Sequence, residues 1–310
     1  VINDTMRCLL MKGACFVLVL FFCFPFLQTS ALSLSPKLAV VICPGFGNAV
    51  VDYVNPLGSP DGLQAALERR GVEVQIVPIQ RYDWIRVAAG LFDIKFWQNQ
   101  QLASGFAYGW YLKRTKDTIQ QCDSDKILLV GHSAGGWLAR AALGDEGNPK
   151  VVGLVTLGAP HLPPSDGINC ATRGALKTTN LLYPGSFLKD ISYVSVSSSS
   201  VTVGNQDQKD VDTSRVDEIY QQRGEGNAEN VARINYEALV GRSDGVTGDG
   251  VIPVEIAHLD GAKQIFLNGA MHSINEAGTT LPASSWYGSE SMIDQWFQVA
   301  METISAKETI

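Results

Sequence analysis

Short apolar stretches alternate along this chain with stretches whose apolar residues recur at helical spacing. Between Leu38 and Gly158, four apolar runs predict strands: LAVVIC, VEVQIVPI, KILLVG and KVVGLVTLG. Three stretches between them predict helices: SPDGLQAALERRG, GWYLKRTKDTIQQC and the residues from Ala134 onward. Apolar runs are typical of strands covered on both faces, and strands that alternate with helices pair in parallel. The sequence therefore predicts an α/β protein with a mostly parallel sheet and helices on both faces.

The alternation stops in residues 162–230, which are rich in Pro, Ser and Gly and contain one predicted short helix, VDEIYQQRG. A long interruption in an α/β domain is typical of a lid over a functional opening, or of a loop without regular structure, and we favour the lid. After it, ENVARINYEALVG and KQIFLNGA are predicted as strands and ESMIDQWFQVAMETI as a closing amphipathic helix. Because a chain of 310 residues can bury one large core, residues 36–310 are predicted to form one domain.

Residues 1–35 predict a targeting or anchoring segment. Arg7 and Lys12 precede the apolar run ACFVLVLFFCFPFL, and small residues follow it. This order is typical of a secretory signal. The run is shorter than the roughly 20 residues of a spanning helix, which still leaves a tilted membrane anchor open. No acidic residue stands between Asp4 and Asp52, as in an organelle transit peptide. Two locations stay open: the secretory pathway or a membrane, and the chloroplast.

Charge and cysteine spacing argue against several kinds of site. The formal net charge is -7 and the pI is near 5.1, whereas nucleic-acid binding depends on clustered Lys and Arg. Three of the six cysteines lie in residues 1–35, and Cys43, Cys122 and Cys170 are widely spaced. This spacing predicts neither a disulfide framework nor a zinc site.

A serine flanked by small residues stands where a predicted strand meets a predicted helix, in the sequence Gly131-His132-Ser133-Ala134-Gly135. A serine hydroxyl becomes a nucleophile only beside a base that a third group orients. The pattern G-x-S-x-G by itself also fits an ordinary tight turn, but between a strand and a helix it predicts that Ser133 projects from the edge of a sheet.

The base must come from one of four histidines. His272 follows the last predicted strand, at the sheet edge where open α/β sheets bind their ligands, so we take it as the base. The other three have simpler interpretations. His132 is expected to pack beneath the serine turn, His161 could shape the opening of the site, and His258 fits a surface or hydrogen-bonded residue.

The stretch GRSDGVTGDGVIPV offers two candidates for the acid. Asp249 completes the chain order Ser, Asp, His that is expected of a serine hydrolase with this topology. Asp244 is the alternative, and each of the two could instead be a turn aspartate before glycine.

A negatively charged oxygen formed at Ser133 needs backbone N–H donors. Ala134, at the start of the predicted helix, would supply one of them. The turn CPGFGNA after the first predicted strand would supply the other, with Phe46 as the candidate. A phosphate-binding loop is not predicted there, because no Gly-Lys-Ser/Thr follows.

Five segments resemble the lipase and esterase branch of the α/β-hydrolase superfamily, and they are similar to lipase-like hydrolases of cyanobacteria and plant plastids: VVICPGFGN, LLVGHSAGGWLAR, VTLGAPH, GDGVIP and MHS. The resemblance implies Ser133 as nucleophile, Asp249 as acid, His272 as base, and the amides of Phe46 and Ala134 as the oxyanion hole. It also implies ester hydrolysis through an acyl-enzyme, without a metal or organic cofactor. Many lipases have His-Gly in the oxyanion turn, where this chain has Pro-Gly.

Aromatic residues are dense between Tyr82 and Tyr111, which fits either an acyl-binding or lipid-facing wall or ordinary core packing. A small-molecule or lipid ester is the expected substrate. Two other functions remain open: an acyltransferase that uses the same three residues with an alcohol as acceptor, and a non-catalytic binding protein with this fold.

Overall fold

The computed structural model describes residues 37–54, 62–144, 146–165, 168, 170–204, 214–222, 224–272 and 286–309. The chain divides into two units, Val1–Ser35 and Pro36–Ile310. The predicted targeting or anchoring segment lies outside the described residues. No helix among those residues is both long enough and apolar enough to cross a membrane.

The described part of the chain contains a sheet of six strands in the order β2-β1-β3-β4-β5-β8, and every neighbouring pair is parallel. These strands are β1 (Leu38–Cys43), β2 (Glu73–Ile76), β3 (Lys126–His132), β4 (Val151–Leu157), β5 (Ser192–Ser198) and β8 (Lys263–Leu267). A short antiparallel pair joins β6 (Val201–Thr202) to β7 (Thr247–Gly248). All four strands predicted before residue 158 are confirmed.

Helices connect the strands and cover the sheet. They are α1 (Val51–Val54), α2 (Leu63–Glu68), α3 (Ile94–Trp97), α4 (Gly109–Gln121), α5 (Ala134–Leu143), α6 (Ala175–Leu182), α7 (Ser214–Gln222), α8 (Ala228–Val240), α9 (Val254–Ala257) and α10 (Glu290–Glu308), with a 3₁₀ segment over Arg81–Phe92. Successive side chains of a strand point to opposite faces. Val41 accordingly packs in an apolar cluster with Trp137 of α5, while Val40 packs in another with Trp296 of α10. The predicted α/β class, with helices on both faces, is confirmed.

The stretch ENVARINYEALVG was predicted as a strand, and this prediction is wrong. It forms the helix α8, which buries Ala228, Ala232 and Tyr236 on one face. Residues four apart lie on the same face of a helix, which has about 3.6 residues per turn. The side chain of Asn227 caps the first turn by accepting a hydrogen bond from the Asn230 N–H, and Gly241 ends the helix in the left-handed conformation.

The interpretation of residues 162–230 as one continuous lid also needs correction. Within this range lies β5, which pairs with β4 on one side and with β8 on the other. Its seven residues, SYVSVSS, are all buried. The serines concealed the strand in the sequence, because they suggested a loop, but their hydroxyls are hydrogen-bonded inside the protein. Ser195 Oγ, for example, donates to Gln264 Oε1 at 2.5 Å.

Candidate active site

Ser133 forms the turn between β3 and α5 with φ 52° and ψ −129°. A positive φ is unfavourable for a residue with a Cβ, and strain of this kind clusters at functional sites. The Ser133 N–H donates to the carbonyl of Leu157 at 2.9 Å, which ties the turn to the end of β4. A Cβ on Gly135 would lie 2.1 Å from the carbonyl oxygen of Cys43, so no larger residue fits between α5 and β1. The turn is thus held against the ends of two neighbouring strands.

Asp249 and His272 are joined by two hydrogen bonds. His272 Nδ1 lies 2.9 Å from Asp249 Oδ2, and the His272 N–H donates to the Asp249 carbonyl at 3.0 Å. Asp249 Oδ1 accepts the N–H groups of Val251 and Ile252 at 3.0 and 2.7 Å. Because the carboxylate accepts the Nδ1 proton, the basic lone pair of the ring lies on Nε2. This is the arrangement of a histidine base oriented by an acid.

Tyr287 adds a further contact that the sequence analysis did not predict. Its hydroxyl donates to Asp249 Oδ2 at 2.9 Å, on the same oxygen that faces His272. Burial is the main cause that raises the pKa of Tyr287 well above its ordinary value, so the hydroxyl stays a donor. A buried tyrosine hydroxyl needs a partner, but the sequence around Tyr287 does not show which one.

The alternative acid, Asp244, lies elsewhere. Its side chain is 80% exposed and forms an ion pair with Arg233, with 2.5 Å between Oδ1 and Nη1. The structure therefore places Asp249 beside His272 and Asp244 on the surface.

The serine turn contacts the loop of the predicted base through His132. The ring atom His132 Nε2 lies 2.8 Å from the carbonyl oxygen of His272, and the two ring centroids are 5.0 Å apart. Ser133 is the next residue along the chain. The structure thus brings Asp249 and His272 into direct contact and places Ser133 beside the residue that binds His272.

The turn after β1 borders the serine. A Cβ on Gly45 would lie 2.9 Å from the Cβ of Ser133, so only glycine permits this approach. Phe46 follows in the same turn; its side chain is exposed and its ring packs on Trp84 with the centroids 4.9 Å apart. Ala134 is the first residue of α5, where N–H groups have no acceptor within the helix. Both predicted oxyanion donors therefore belong to backbone that adjoins Ser133.

The remaining histidines have other partners. His161 is buried, with Nε2 3.0 Å from Thr156 Oγ1, and burial is the main cause that lowers its pKa well below the ordinary value. His258 Nε2 lies 3.0 Å from Ser197 Oγ. The interpretation of His258 as a hydrogen-bonded residue is therefore confirmed. His161 packs against β4.

The aromatic residues between positions 82 and 111 differ in burial. Trp84, Tyr108 and Tyr111 are buried in the core. Six large apolar side chains of the segment 81–97 are exposed, and we call them the apolar surface: Tyr82, Ile85, Leu91, Phe92, Ile94 and Trp97. Trp84 anchors this segment beside the turn after β1, because its Nε1–H donates to the Asn48 carbonyl at 2.9 Å. The apolar surface is thus carried by a segment that packs against the candidate site.

One family model, described as a PGAP1-like alpha/beta domain, matches residues 109–220, a range that contains β3, the serine turn and α5. Many solved structures are similar to this chain, and three of them are the following. The metagenomic carboxyl esterase MGS0156 is 14% identical over 88% of this chain and 76% of that one, with a TM-score of 0.43. Est1E from Butyrivibrio proteoclasticus is 12% identical over 84% of this chain and 88% of that one, with a TM-score of 0.38. ClbQ from the colibactin NRPS/PKS pathway is 11% identical over 88% of this chain and 99% of that one, with a TM-score of 0.35.

The comparison with curated proteins found no match. The fold assignment rests on the strand order of this chain, on the turn at Ser133 and on the matched family model.

Proposed function

We propose that this chain, whose parallel sheet and serine turn form the α/β-hydrolase fold that the sequence predicted, is a serine hydrolase that cleaves carboxylic esters. The observation that carries the proposal is the hydrogen bond between His272 Nδ1 and Asp249 Oδ2, formed in a loop that contacts the residue next to Ser133. An imidazole held in this way has its basic nitrogen available for a proton from a serine hydroxyl.

The proposed reaction proceeds in two steps. In the first, Ser133 Oγ attacks the ester carbonyl while His272 Nε2 takes the hydroxyl proton and passes it to the leaving alcohol. In the second, water attacks the acyl-enzyme, and His272 removes the water proton and returns it to Ser133. Asp249 stabilises the imidazolium that forms in each step.

Backbone N–H groups would stabilise the negative charge that develops on the carbonyl oxygen. We assign this role to the amides of Phe46 and Ala134, because Ala134 follows Ser133 in the chain and Phe46 follows Gly45, which lies against Ser133. Donors that are already in place when the charge develops contribute several kcal/mol to transition-state binding.

The apolar surface supports an acyl or lipid ester as the substrate. Its six side chains lie on a segment anchored at the turn that borders Ser133. A contiguous exposed apolar patch marks a site that binds an apolar ligand or lipid, and we propose that these side chains form one. An ester with a long acyl chain would place its carbonyl at Ser133 and its chain against this surface.

The experiment that tests the proposal is labelling with a fluorophosphonate probe, which reacts with an activated serine. We expect the native chain to be labelled and Ser133→Ala to be unlabelled. Ser197→Ala is the matched control, because Ser197 is a buried serine that also lies close to a histidine ring. Labelling that persists in Ser133→Ala would overturn the assignment of the nucleophile.

Turnover of p-nitrophenyl esters with short and long acyl chains is measured on the same three proteins. We expect ester hydrolysis to require Ser133 and to be faster with the long chain, because a long chain would bury more apolar area against the apolar surface. Equal rates for both esters would contradict the proposed lipid substrate and leave the esterase assignment intact.

A further inference from the structure

His132 stands in a chain of hydrogen bonds that links both sides of the candidate site. Its Nε2 lies 2.8 Å from the carbonyl oxygen of His272, and its Nδ1 lies 2.9 Å from the hydroxyl oxygen of Tyr53. That hydroxyl oxygen in turn accepts the N–H of Gly45 at 3.0 Å. These hydrogen bonds therefore connect the turn after β1, through α1 and the end of β3, to the loop that carries the predicted base.

The direction of each hydrogen bond follows from the chemistry of the partners. A carbonyl oxygen can only accept, so the His132 proton lies on Nε2 and is donated to His272. Nδ1 must then accept, and it receives the hydroxyl proton of Tyr53. The Tyr53 oxygen accepts from Gly45 and from Asn48 Nδ2, the latter at 3.1 Å. Asn48 Nδ2 also lies 3.3 Å from His132 Nδ1, so both polar neighbours of this nitrogen can donate to it and neither needs a proton on it.

This chain of hydrogen bonds is shielded from water. The exposed fractions of Tyr53 and His132 are 1% each. Burial is the main cause that lowers the pKa of His132 to about 3, and the nearby His272 adds to it. The ring is therefore neutral across the pH range in which an esterase works, and it keeps the single Nε2 proton that the chain requires.

The two ends of the chain are the two parts that the proposed reaction must align. Gly45 lies against Ser133 and precedes Phe46, the predicted oxyanion donor. His272 carries the base. A misplacement of about 1 Å between reacting groups can cost a factor of about 100 in rate. A buried linkage between these ends would keep the base and the oxyanion turn in register.

We propose that His132 is a positioning residue that couples the turn after β1 to the backbone of His272 through Tyr53. This inference rests on the proposed function, because it assigns His132 a role in the same serine hydrolase. It replaces the prediction that His132 only packs beneath the turn. His132 does not touch the substrate; it acts through the main chain of the base.

Three substitutions at His132 separate the hydrogen bonds from the volume of the ring. Gln places an N–H close to the position of Nε2 and keeps the bond to His272, whereas Asn reaches only the position of Nδ1. Phe fills the space between Tyr53 and Trp286 but makes neither bond. We expect kcat to fall by about 100-fold in His132→Phe and by less than about 10-fold in His132→Gln. The kcat of His132→Asn should be close to that of His132→Phe, and KM should change little in all three variants.

The coupling through Tyr53 is tested by a double-mutant cycle. Tyr53→Phe removes only the hydroxyl, and we expect it to lower kcat by about 10-fold. If the two residues act in one chain, the double variant His132→Phe/Tyr53→Phe loses no more activity than His132→Phe alone. His258→Gln is the control, because His258 bonds to Ser197 and is outside the chain. Losses that multiply in the double variant would overturn the coupling, as would native kcat in His132→Phe.

A measurement independent of activity separates this inference from the proposed function. In the full chain with ¹⁵N-labelled histidine, we expect NMR to show His132 as the neutral Nε2–H tautomer without titration from pH 5 to 9. Titration in that range, or the Nδ1–H tautomer, would overturn the hydrogen-bond chain. Hydrolysis that persists in Ser133→Ala would instead contradict the proposed function. The NMR result would still decide whether the hydrogen bonds through His132 exist.

Discussion

At the scale of single residues, the carboxylate of Asp249 is held from two sides. Two backbone N–H groups bind Oδ1, while His272 and Tyr287 bind Oδ2. A carboxylate with both oxygens engaged cannot rotate without breaking several charge-assisted bonds, each worth about 1.5–3 kcal/mol. This explains how Asp249 can hold the imidazole of His272 in one orientation.

The role of His272 is tested against the other histidines. We expect His272→Ala to lower kcat/KM by about 1,000-fold or more, because the proposed mechanism loses its base. We expect His258→Ala to stay within about threefold of the native value, because His258 contacts Ser197 outside the site. Steady-state ester hydrolysis checks both variants. Comparable losses in the two would require a different base.

The sequence analysis took Asp249 as the acid, with Asp244 as the alternative. Both residues precede glycine in the same stretch, and only the resemblance of the segment GDGVIP favoured Asp249. Asp249 is distinguished by the backbone of Val251 and Ile252, which folds around its carboxylate, and by Tyr287 from a distant segment. These contacts exist only in the folded chain.

At the scale of secondary structure, local patterns of apolar residues were sufficient to predict the main strands and helices of the sheet. The strand β3 and the helix α5 follow from apolar spacing and from the small residues between them. The predictions are wrong at α8, whose β-branched and aromatic residues resemble a strand although its buried residues have helical spacing, and at β5, where serines suggest a loop. Burial of polar side chains depends on distant hydrogen-bond partners, which a local pattern does not contain.

The 3₁₀ segment Arg81–Phe92 gives a prediction about pH. Asp83 is buried, and Arg114 is the main cause that lowers its pKa to about 2, from an ordinary value of 3.8. Arg114 donates to both carboxylate oxygens, at 2.6 and 2.9 Å. Because the folded-state pKa is lowered, the stabilisation is complete above about pH 4 and is lost as the pH falls towards 2.

We therefore expect Asp83→Asn to lower the free energy of unfolding by about 2 kcal/mol at pH 7. The difference from the native chain should shrink as the pH falls from 4 to 2. Urea unfolding at several pH values measures this difference, with Asp117→Asn as the control, because Asp117 forms an exposed ion pair with Lys113. A difference that does not change with pH would contradict the role of the Asp83 charge.

At the scale of the whole molecule, the six-stranded sheet includes residues from 38 to 267 and has β5 in its interior. We expect deletion of residues 162–230 to abolish folding, because β4 and β8 would lose the strand between them. Circular dichroism and thermal melting check this. A cooperative melt of the chain without 162–230 would show that β5 is dispensable.

The sequence by itself determined the fold class, the strand-to-helix turn at Ser133 and the candidate base, because apolar periodicity and small residues at a turn are local properties. The contacts that distinguish Asp249 from Asp244, the placement of β5 within the sheet and the hydrogen bonds from Gly45 through Tyr53 and His132 to His272 were decided by the tertiary structure. Each of these depends on a contact between segments far apart in the chain. The pattern of residues around each partner does not encode such a contact.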